Sequence, residues 1–331
     1  MTVLWFDASS GASGDMLLGA LVGAGVPVAS LQAAVDAASP EPVVLRVEQV
    51  TRNGFAATRV HVEVTDSVHH RTWRDIRALL LNAPLDDAVR DLALRCFERL
   101  AVAEGAVHGH DPLAVEFHEV GALDAIADVV GVCAGFVHLG ATQVVVSPVA
   151  VGSGTVRGAH GTLPVPPPAV VELLTGVPSY AGPPGAPAME LCTPTGAALL
   201  TTLATAYGGQ PAMTTTAVGV GAGGRDPGGH ANVLRLLVGA PVPTAADTDD
   251  LLVLETNVDD LDPRLWPEAI TAVLAAGALD AWLTPIVMKK GRPAHTFRAL
   301  VTPERAEQVR AARSEERRVG KECRSRWSPY H

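Results

Sequence analysis

Aromatic and sulfur-containing side chains are scarce in this sequence of 331 residues. Only 4% of the residues are Phe, Trp or Tyr although 48% are hydrophobic, so we expect a core built mostly from Ala, Val and Leu. The four cysteines form no CxxC pair, which argues against a disulfide framework. This cysteine usage is typical of a reducing compartment, and we predict a cytoplasmic protein.

The sequence also lacks an excess of basic residues and an uninterrupted membrane-spanning run. With 25 Lys and Arg against 35 Asp and Glu, the net charge of -10 argues against a nucleic-acid partner. Residues 16–35 contain no charged side chain and are long enough to resemble a membrane span, but Gly25 and Pro27 interrupt them. This break predicts two short buried helices and no membrane partner. The first residues lack the basic segment of a signal peptide.

Glycine, by contrast, is abundant next to predicted strand ends. A strand at Val3–Phe6 leads through DASSGASGDM (7–16) into a helix. The free backbone N–H groups of such a helix N-terminus can hold a phosphate, and Asp7 and Asp15 could bind a cation beside it. The alternative is an ordinary tight turn in which Asp15 is a first-turn helix acid.

Two further glycine-rich segments carry basic side chains, at 147–174 and at Val218–His230. Between them, Thr193 is predicted to cap a helix that starts at Pro194 and runs to Tyr207. Three such loops beside strand or helix ends predict a pocket for a large anionic ligand. The candidate substrate- and phosphate-binding residues are Ser10, Gly11, Ser13, Gly14, Asp15, Arg157, His160, Thr193, Thr195 and Arg225.

Histidines and acids are concentrated in HGHDPLAVEFHEVGALDAIADVVG (108–131). An amphipathic helix over 86–107, an extended piece at Leu113–Phe117 and a second helix should bring them together. Such a mixed ligand set suits a borderline divalent metal, whereas the alternative is helix-terminal acids and surface histidines. The candidate metal ligands are His108, His110, His118, Glu119, Asp124 and Asp128, with His69 and His70 from a loop that could equally be a solvated one.

The last part of the chain changes character after a predicted linker at 241–250. Residues 251–312 read as β-α-β-β-α, a ferredoxin-like unit without its last strand. Its basic turn should face an acidic strand end, which suits a nucleoside triphosphate with a divalent cation, although a solvated hairpin is the alternative. The candidate nucleotide-binding residues are Glu255, Asn257, Asp259, Asp260, Lys289, Lys290 and Arg292.

The overall prediction is an α/β (α+β) protein: an α/β domain with glycine-rich loops at 1–240, followed by the partial ferredoxin-like domain. From residue 313 onward the chain becomes dense in charge and loses its periodicity. We expect 313–331 to be unstructured and foreign to the fold.

Seven segments resemble the LarC family of nickel-insertion proteins in sequence and in order across residues 2–310. They are FDASSGASGDMLLGAL, FHEVGALDAIADVVG, GAHGTLPVPPPAVVELL, ELCTPTGAALL, VGVGAGGRD, ETNVDD and MKKGRP. The resemblance implies a nickel chelatase or metal-inserting lyase. Such an enzyme uses CTP with Mg²⁺ or Mn²⁺ to insert Ni²⁺ into pyridinium-3,5-bisthiocarboxylic acid mononucleotide, giving the nickel-pincer cofactor.

The same resemblance implies a small-molecule nucleotide substrate and a racemase-type enzyme that receives the cofactor, and we expect a homo-oligomer. Because the chain ends inside the family's CTP-binding domain, we expect impaired use of CTP. Our hypothesis is that the histidine–acid cluster delivers nickel to the substrate sulfurs while Glu119 or His118 takes the ring proton. The alternatives are a non-enzymatic nickel carrier, against which the three glycine loops argue, and a metal-dependent phosphohydrolase with its phosphate at Gly11–Gly14.

Overall fold

Strand β1 (Thr2–Asp7) lies inside the sheet of the first unit and leads directly into a glycine-rich turn. Its residues from Val3 to Asp7 are all buried, as expected for an apolar run covered on both sides. Helices α1 (Gly14–Gly23) and α2 (Val28–Ala38) follow, and Gly25 between them has a φ of 101°. The two predicted short helices are therefore confirmed. No helix among the described residues combines the length and the apolar character needed to cross a bilayer.

The computed structural model describes residues 1–64, 71–115, 117, 123–158, 161–242 and 251–315, and the chain divides into two compact units, Met1–Val242 and Pro243–His331. The other helices of the first unit are α3 (Trp73–Asn82), α4 (Asp87–His108), α5 (Leu123–Leu139), α6 (Pro168–Leu173) and α7 (Pro194–Leu203). Its other strands are β2 (Val43–Arg52), β3 (Phe55–Val64), β4 (Ala141–Val146), β5 (Val149–Ala150), β6 (Thr155–Gly158), β7 (Gly161–Pro164), β8 (Ser179–Tyr180), β9 (Ala206–Tyr207), β10 (Met213–Ala222) and β11 (Val233–Pro241).

Seven of these strands form one mixed sheet in the order β2-β3-β10-β11-β1-β4-β9. Strands β3 and β10 are parallel, as are β1, β4 and β9, whereas β11 is antiparallel to both β10 and β1. The strands β3, β10, β1, β4 and β9 consequently end at the same edge of the sheet. In α/β proteins, ligands bind outside the carboxyl ends of the strands, so this edge is the place to look for a site.

The two faces of the sheet differ in character. Leu4 and Phe6 of β1 and Leu234 and Leu236 of β11 belong to one buried cluster with helices α1, α4, α5 and α7. Side chains alternate between faces along a strand, so the intervening residues point to the opposite face, which we call the outer face. On β2 and β3 this outer face carries the ion pairs Arg46–Glu63 and His61–Glu48.

Two predicted elements are wrong in detail. Helix α7 ends at Leu203, four residues before the predicted end, and Ala206–Tyr207 forms β9 against β4 instead. Strand pairing with Val145 and Val146 overrides the helical pattern at this point. The piece predicted to be extended begins as a 3₁₀ turn over Pro112–Ala114, because Asp111 accepts a hydrogen bond from the backbone N–H of Leu113.

The second unit has the predicted element order, with β12 (Leu252–Val258), α8 (Trp266–Ala275), β13 (Asp280–Met288), β14 (Arg292–Val301) and α9 (Ala306–Glu315). Its sheet has the order β12-β14-β13, and both pairings are antiparallel. Trp266 and Phe297 form the centre of its core. Helix α9 continues three residues into the range that we predicted to be unstructured, while 316–331 lie outside the described residues. The mixed α/β fold class is confirmed.

Candidate active site

The turn between β1 and α1 is tight and depends on glycine. The backbone N–H of Gly11 donates to Ala8 O at 3.0 Å, and Gly11 has a φ of 105°. A Cβ at Gly11 would lie 2.1 Å from the carbonyl oxygen of Leu191, so a larger residue cannot be placed there without moving the backbone. The turn is thereby fixed against the segment that leads into α7.

The N-termini of α1 and α7 meet at this turn, and the second turn of α5 packs against it. A Cβ at Gly14, the first residue of α1, would lie 2.2 Å from Oδ2 of Asp128 near the start of α5. A Cβ at Gly196, in the first turn of α7, would lie 2.3 Å from Ala12 O. A helix N-terminus carries a partial positive charge, so the place where two of them meet favours an anion.

The predicted cap of α7 is confirmed, because the hydroxyl of Thr193 accepts a hydrogen bond from the N–H of Gly196 at 3.2 Å. The structure thus brings a large part of the predicted substrate-binding set to one place. These residues are Ser10, Gly11, Ser13, Gly14, Asp15, Thr193 and Thr195. Their role in binding a ligand stays a prediction.

Carboxylates lie beside these helix N-termini. Asp15 accepts hydrogen bonds from the Ser13 hydroxyl and, at 2.9 Å, from the N–H of Met16. Oδ1 of Asp128 is buried and has no hydrogen-bond partner among the described residues. Burial, together with the nearby carboxylates of Asp15 and Asp124, raises the pKa of Asp128 well above its ordinary range. The excess of negative charge favours a cation at the same place as the anion.

An ion pair that sequence reasoning missed joins β1 to β11 at the outer face. Asp7, which is 5% exposed, accepts hydrogen bonds from Nη2 of Arg235 and, at 2.8 Å, from its Nε. Burial tends to raise the pKa of Asp7, but the hydrogen bonds from Ser9 and Arg235 outweigh it and lower the pKa. The two residues are 228 positions apart, so no local pattern could have revealed the pair.

The predicted histidine ligands are only partly described. His108 and His110 lie at the end of α4 with ring centroids 6.4 Å apart, and Nε2 of His108 is 3.4 Å from Oε2 of Glu104. His69, His70, His118 and Glu119 lie outside the described residues. Within the part of the chain that the structure describes, no three His, Cys, Asp or Glu residues form a metal-binding group. The metal ligand set therefore stays a prediction.

The arginines of the other two glycine loops are exposed. Arg157 lies on β6, Arg225 lies in the loop between β10 and β11, and His160 is outside the described residues. Neither arginine has a contact with the turn at Gly11 among those that the structure describes. A cavity of 790 Å³ lined by Trp73, Arg77 and Phe136 lies near the C-terminal end of α5, away from Asp128, and includes none of the predicted site residues.

In the second unit, the basic turn lies beside the acidic strand end as expected. Nη1 of Arg292 is 3.7 Å from Oδ2 of Asp259, while Lys289 and Lys290 are exposed. Two of the predicted nucleotide-binding residues are engaged across the sheet instead. The carboxylate of Glu255 accepts from Nε of Arg298 at 2.6 Å, and the amide oxygen of Asn257 accepts from the Thr296 hydroxyl at 2.6 Å.

Comparisons with known proteins point to one family. The family model described as nickel insertion protein matches residues 4–318. The pyridinium-3,5-bisthiocarboxylic acid mononucleotide nickel insertion protein of a Nocardioides species is 72% identical over 312 residues, covering 94% of this chain and 78% of that protein. A putative nickel insertion protein of Geotalea uraniireducens is 43% identical over 297 residues, with 88% and 75% covered.

One solved structure was also found, the apo C-terminal domain of a cyclometallase involved in the synthesis of the NPN cofactor of lactate racemase. It is 28% identical, with a TM-score of 0.22, and the match covers 24% of this chain and 54% of that one. The family model spans nearly the whole chain, including both units and the glycine turn. The chain belongs to the nickel insertion protein family.

Proposed function

We propose that this protein is an enzyme that inserts Ni²⁺ into pyridinium-3,5-bisthiocarboxylic acid mononucleotide, the substrate named for its Nocardioides relative. The observation that carries the proposal is the position of Asp15 and Asp128 beside the N-termini of α1 and α7. The helix N-termini favour the anionic groups of a mononucleotide, and the carboxylates favour a divalent cation. A site that favours an anion and a cation side by side suits an enzyme that joins a metal ion to an anionic substrate.

The reaction replaces a ring proton by nickel. The ring C–H bond breaks, its electron pair forms the nickel–carbon bond, and the proton passes to a base, so no oxidant or reductant is required. The proposed base is Glu119 or His118, which lie a few residues before α5 in the sequence. Asp124 and Asp128 would hold nickel together with the other proposed ligands, and the substrate sulfurs would complete the coordination. These other ligands are His69, His70, His108 and His110.

For the second unit we propose CTP with Mg²⁺ or Mn²⁺ at the basic turn. Lys289, Lys290 and Arg292 suit the triphosphate, and Asp259 and Asp260 suit the cation. Bound CTP would supply an activated phosphate anhydride. Because Glu255 and Asn257 already have partners within the sheet, we assign them to holding the strand and not to direct contact with the phosphates.

The protein is further proposed to act in the cytoplasm. Its three described cysteines are free and buried, which supports a reducing compartment such as the cytoplasm. A homo-oligomer and a racemase-type enzyme that receives the product complete the proposal.

The test is to incubate the protein with Ni²⁺, the bisthiocarboxylate mononucleotide, CTP and Mg²⁺, and to measure the mass of the products. We expect the mass of the nickel adduct with the loss of one ring proton. Asp15→Asn should abolish it, because the substitution removes charge beside the turn, whereas the exposed Asp36→Asn on α2 should leave it unchanged. A protein that binds nickel without forming the adduct would be a carrier, and release of inorganic phosphate from the mononucleotide without metal insertion would indicate a phosphohydrolase.

A further inference from the structure

Arg59 on β3 has no role in the function proposed so far. It alternates with the buried residues Thr58 and Val60, so it lies on the outer face of the sheet. Arg235 lies on the same face, two strands away across β10. Nε of Arg59 is buried and has no hydrogen-bond partner among the described residues. A buried guanidinium N–H without an acceptor is unfavourable, so this donor is held ready for a group that supplies one.

His230 presents a second buried nitrogen that lacks a partner among the described residues and can donate a hydrogen bond in the tautomer that carries the proton there. It lies in the loop that joins β10 to β11 and is 6% exposed. Its Nε2 is buried and, in the part of the chain that the structure describes, has no partner. A histidine is seldom so deeply buried unless its polar atoms are satisfied.

The loop 223–232 is held in place by other side chains. Nε of Arg52 donates to Gly223 O at 2.9 Å, and Nδ2 of Asn232 donates to Arg225 O at 3.0 Å. The N–H of Asn53 donates to Oδ1 of Asp226 at 3.0 Å. Because these bonds fix the loop, the side chains of Arg59 and His230 are not needed to hold it in place.

Glycines of the loop lie close to Arg59 and leave the loop open elsewhere. A Cβ at Gly224 would lie 3.3 Å from Nη2 of Arg59, which places this part of the loop directly beside the guanidinium. Gly228 and Gly229 have no atom within 4 Å of an added Cβ, and Gly229 has a φ of 80°. Backbone N–H groups in such a turn can join side-chain donors in binding an anion.

We propose that Arg59 and His230, with the loop 223–232, form a binding subsite for the phosphate group of the mononucleotide substrate. The inference rests on the proposed function for the identity of the ligand, but the two unpartnered donors do not depend on it. A phosphate monoester offers several oxygens, so it can accept from a guanidinium and an imidazole at once. The Asp7–Arg235 pair connects this side of the sheet to the glycine turn, where the rest of the substrate would lie.

The first experiment observes the donors directly. In ¹⁵N-labelled protein, the Nε–H signal of Arg59 is identified by its loss in Arg59→Lys, and inorganic phosphate is then titrated. We expect this signal to shift with saturation, and to stop shifting in His230→Phe and in His230→Gln. Arg77→Lys on α3 and His138→Gln in the last turn of α5 are matched controls, because both lie outside the loop 223–232 and its neighbouring strands and should not affect the titration.

The second experiment separates phosphate from carboxylate binding. Pyridine-3-carboxylate mononucleotide and the corresponding riboside, which lacks the phosphate, are compared by calorimetry. We expect Arg59→Lys and His230→Phe each to weaken the mononucleotide at least about tenfold. The double variant should be little weaker than either single one, since both donors hold the same group. Riboside affinity should not change, and an equal loss for the riboside would overturn the assignment to phosphate.

Other outcomes distinguish this inference from the proposed function. If the Arg59 Nε–H signal does not shift with phosphate in a protein that still forms the nickel adduct, the proposed subsite is wrong and the proposed function stands. A phosphate-dependent shift in a protein that forms no adduct would keep the subsite and reject the function. A marked fall in the melting temperature of both His230→Phe and His230→Gln would show that the imidazole is bonded within the protein, which contradicts the subsite.

Discussion

Asp128 combines burial, an unpaired oxygen and two neighbouring carboxylates at the start of α5. Its folded-state pKa is raised above the ordinary value of 3.8, so the folded protein resists losing this proton. The unfolded chain loses it freely above that value, and the folded state is therefore penalised increasingly as pH rises from about 4 through the folded-state pKa. Such a group destabilises the protein at neutral pH and is typical of a functional site.

Asp128→Asn should therefore stabilise the protein at pH 8 by about 1–3 kcal/mol, because the neutral amide avoids the buried charge. The gain should shrink toward zero as the pH falls well below 3.8, where Asp128 is protonated in both states. Chemical denaturation at a series of pH values measures the difference. Asp36→Asn on the exposed side of α2 is the control and should give no pH-dependent gain, and a loss of stability at pH 8 would contradict the account of Asp128.

The Asp7–Arg235 pair affects the pH dependence of stability in the opposite direction to Asp128. The folded-state pKa of Asp7 is lowered, so the pair contributes stability above pH 3.8 and loses it as pH falls through the folded-state value. Because Arg235 is 53% exposed, solvent screens the pair, and we expect Arg235→Ala to cost only about 1–2 kcal/mol at pH 7. The cost should shrink below pH 4.

Equilibrium unfolding of Arg235→Ala at pH 7 and pH 3.5 measures this change. Arg46→Ala removes an ion pair in which both side chains are 52% exposed, so it should leave stability nearly unchanged. Equal losses in the two variants would mean that burial of Asp7 does not matter.

At the scale of elements, close approach of backbones fixes the glycine turn against α7. Gly11 and Gly25 have similar φ values of 105° and 101°, but only Gly11 has atoms close to its missing side chain. Gly25→Ala should cost about 1–2 kcal/mol through backbone strain alone. Gly11→Ala adds the collision with Leu191 O and should cost more than about 3 kcal/mol.

Thermal unfolding of the two glycine variants compares them directly. We also expect Gly11→Ala to lose nickel insertion, since the helix N-termini would separate, while Gly25→Ala should retain it. Similar stability losses in the two variants would show that the turn yields and that the close approach is not required.

At the scale of the whole molecule, the two units have separate hydrophobic cores. We expect thermal unfolding to show two transitions, each of which responds to its own ligand. A mononucleotide should raise only the transition of the first unit and CTP with Mg²⁺ only that of the second, by about 2.7 kcal/mol at one hundred times the dissociation constant. Calorimetry measures both, and one transition that shifts with either ligand would contradict independent units.

Much of this architecture follows from local patterns in the chain. The apolar run of β1, the break at Gly25 and Pro27, the Thr193 cap and the β-α-β-β-α order of the second unit depend on residues close in sequence, so periodicity and capping predict them. The glycine turn was identifiable for the same reason, whereas its role in binding an anion stays a prediction. Helix α7 was predicted too long because β9 forms only through pairing with a distant strand.

The site itself depends on contacts between distant segments. The meeting of Gly14 with Asp128 and of Gly196 with Ala12, and the pairing of Asp7 with Arg235, arise only when the strands take their order in the sheet. The same holds for Arg59 and His230, whose sequence positions give no sign that their nitrogens are buried without partners. Local patterns select the elements because backbone preferences act over a few residues. Burial and charge depend on which elements pack together, and only the tertiary structure decides that.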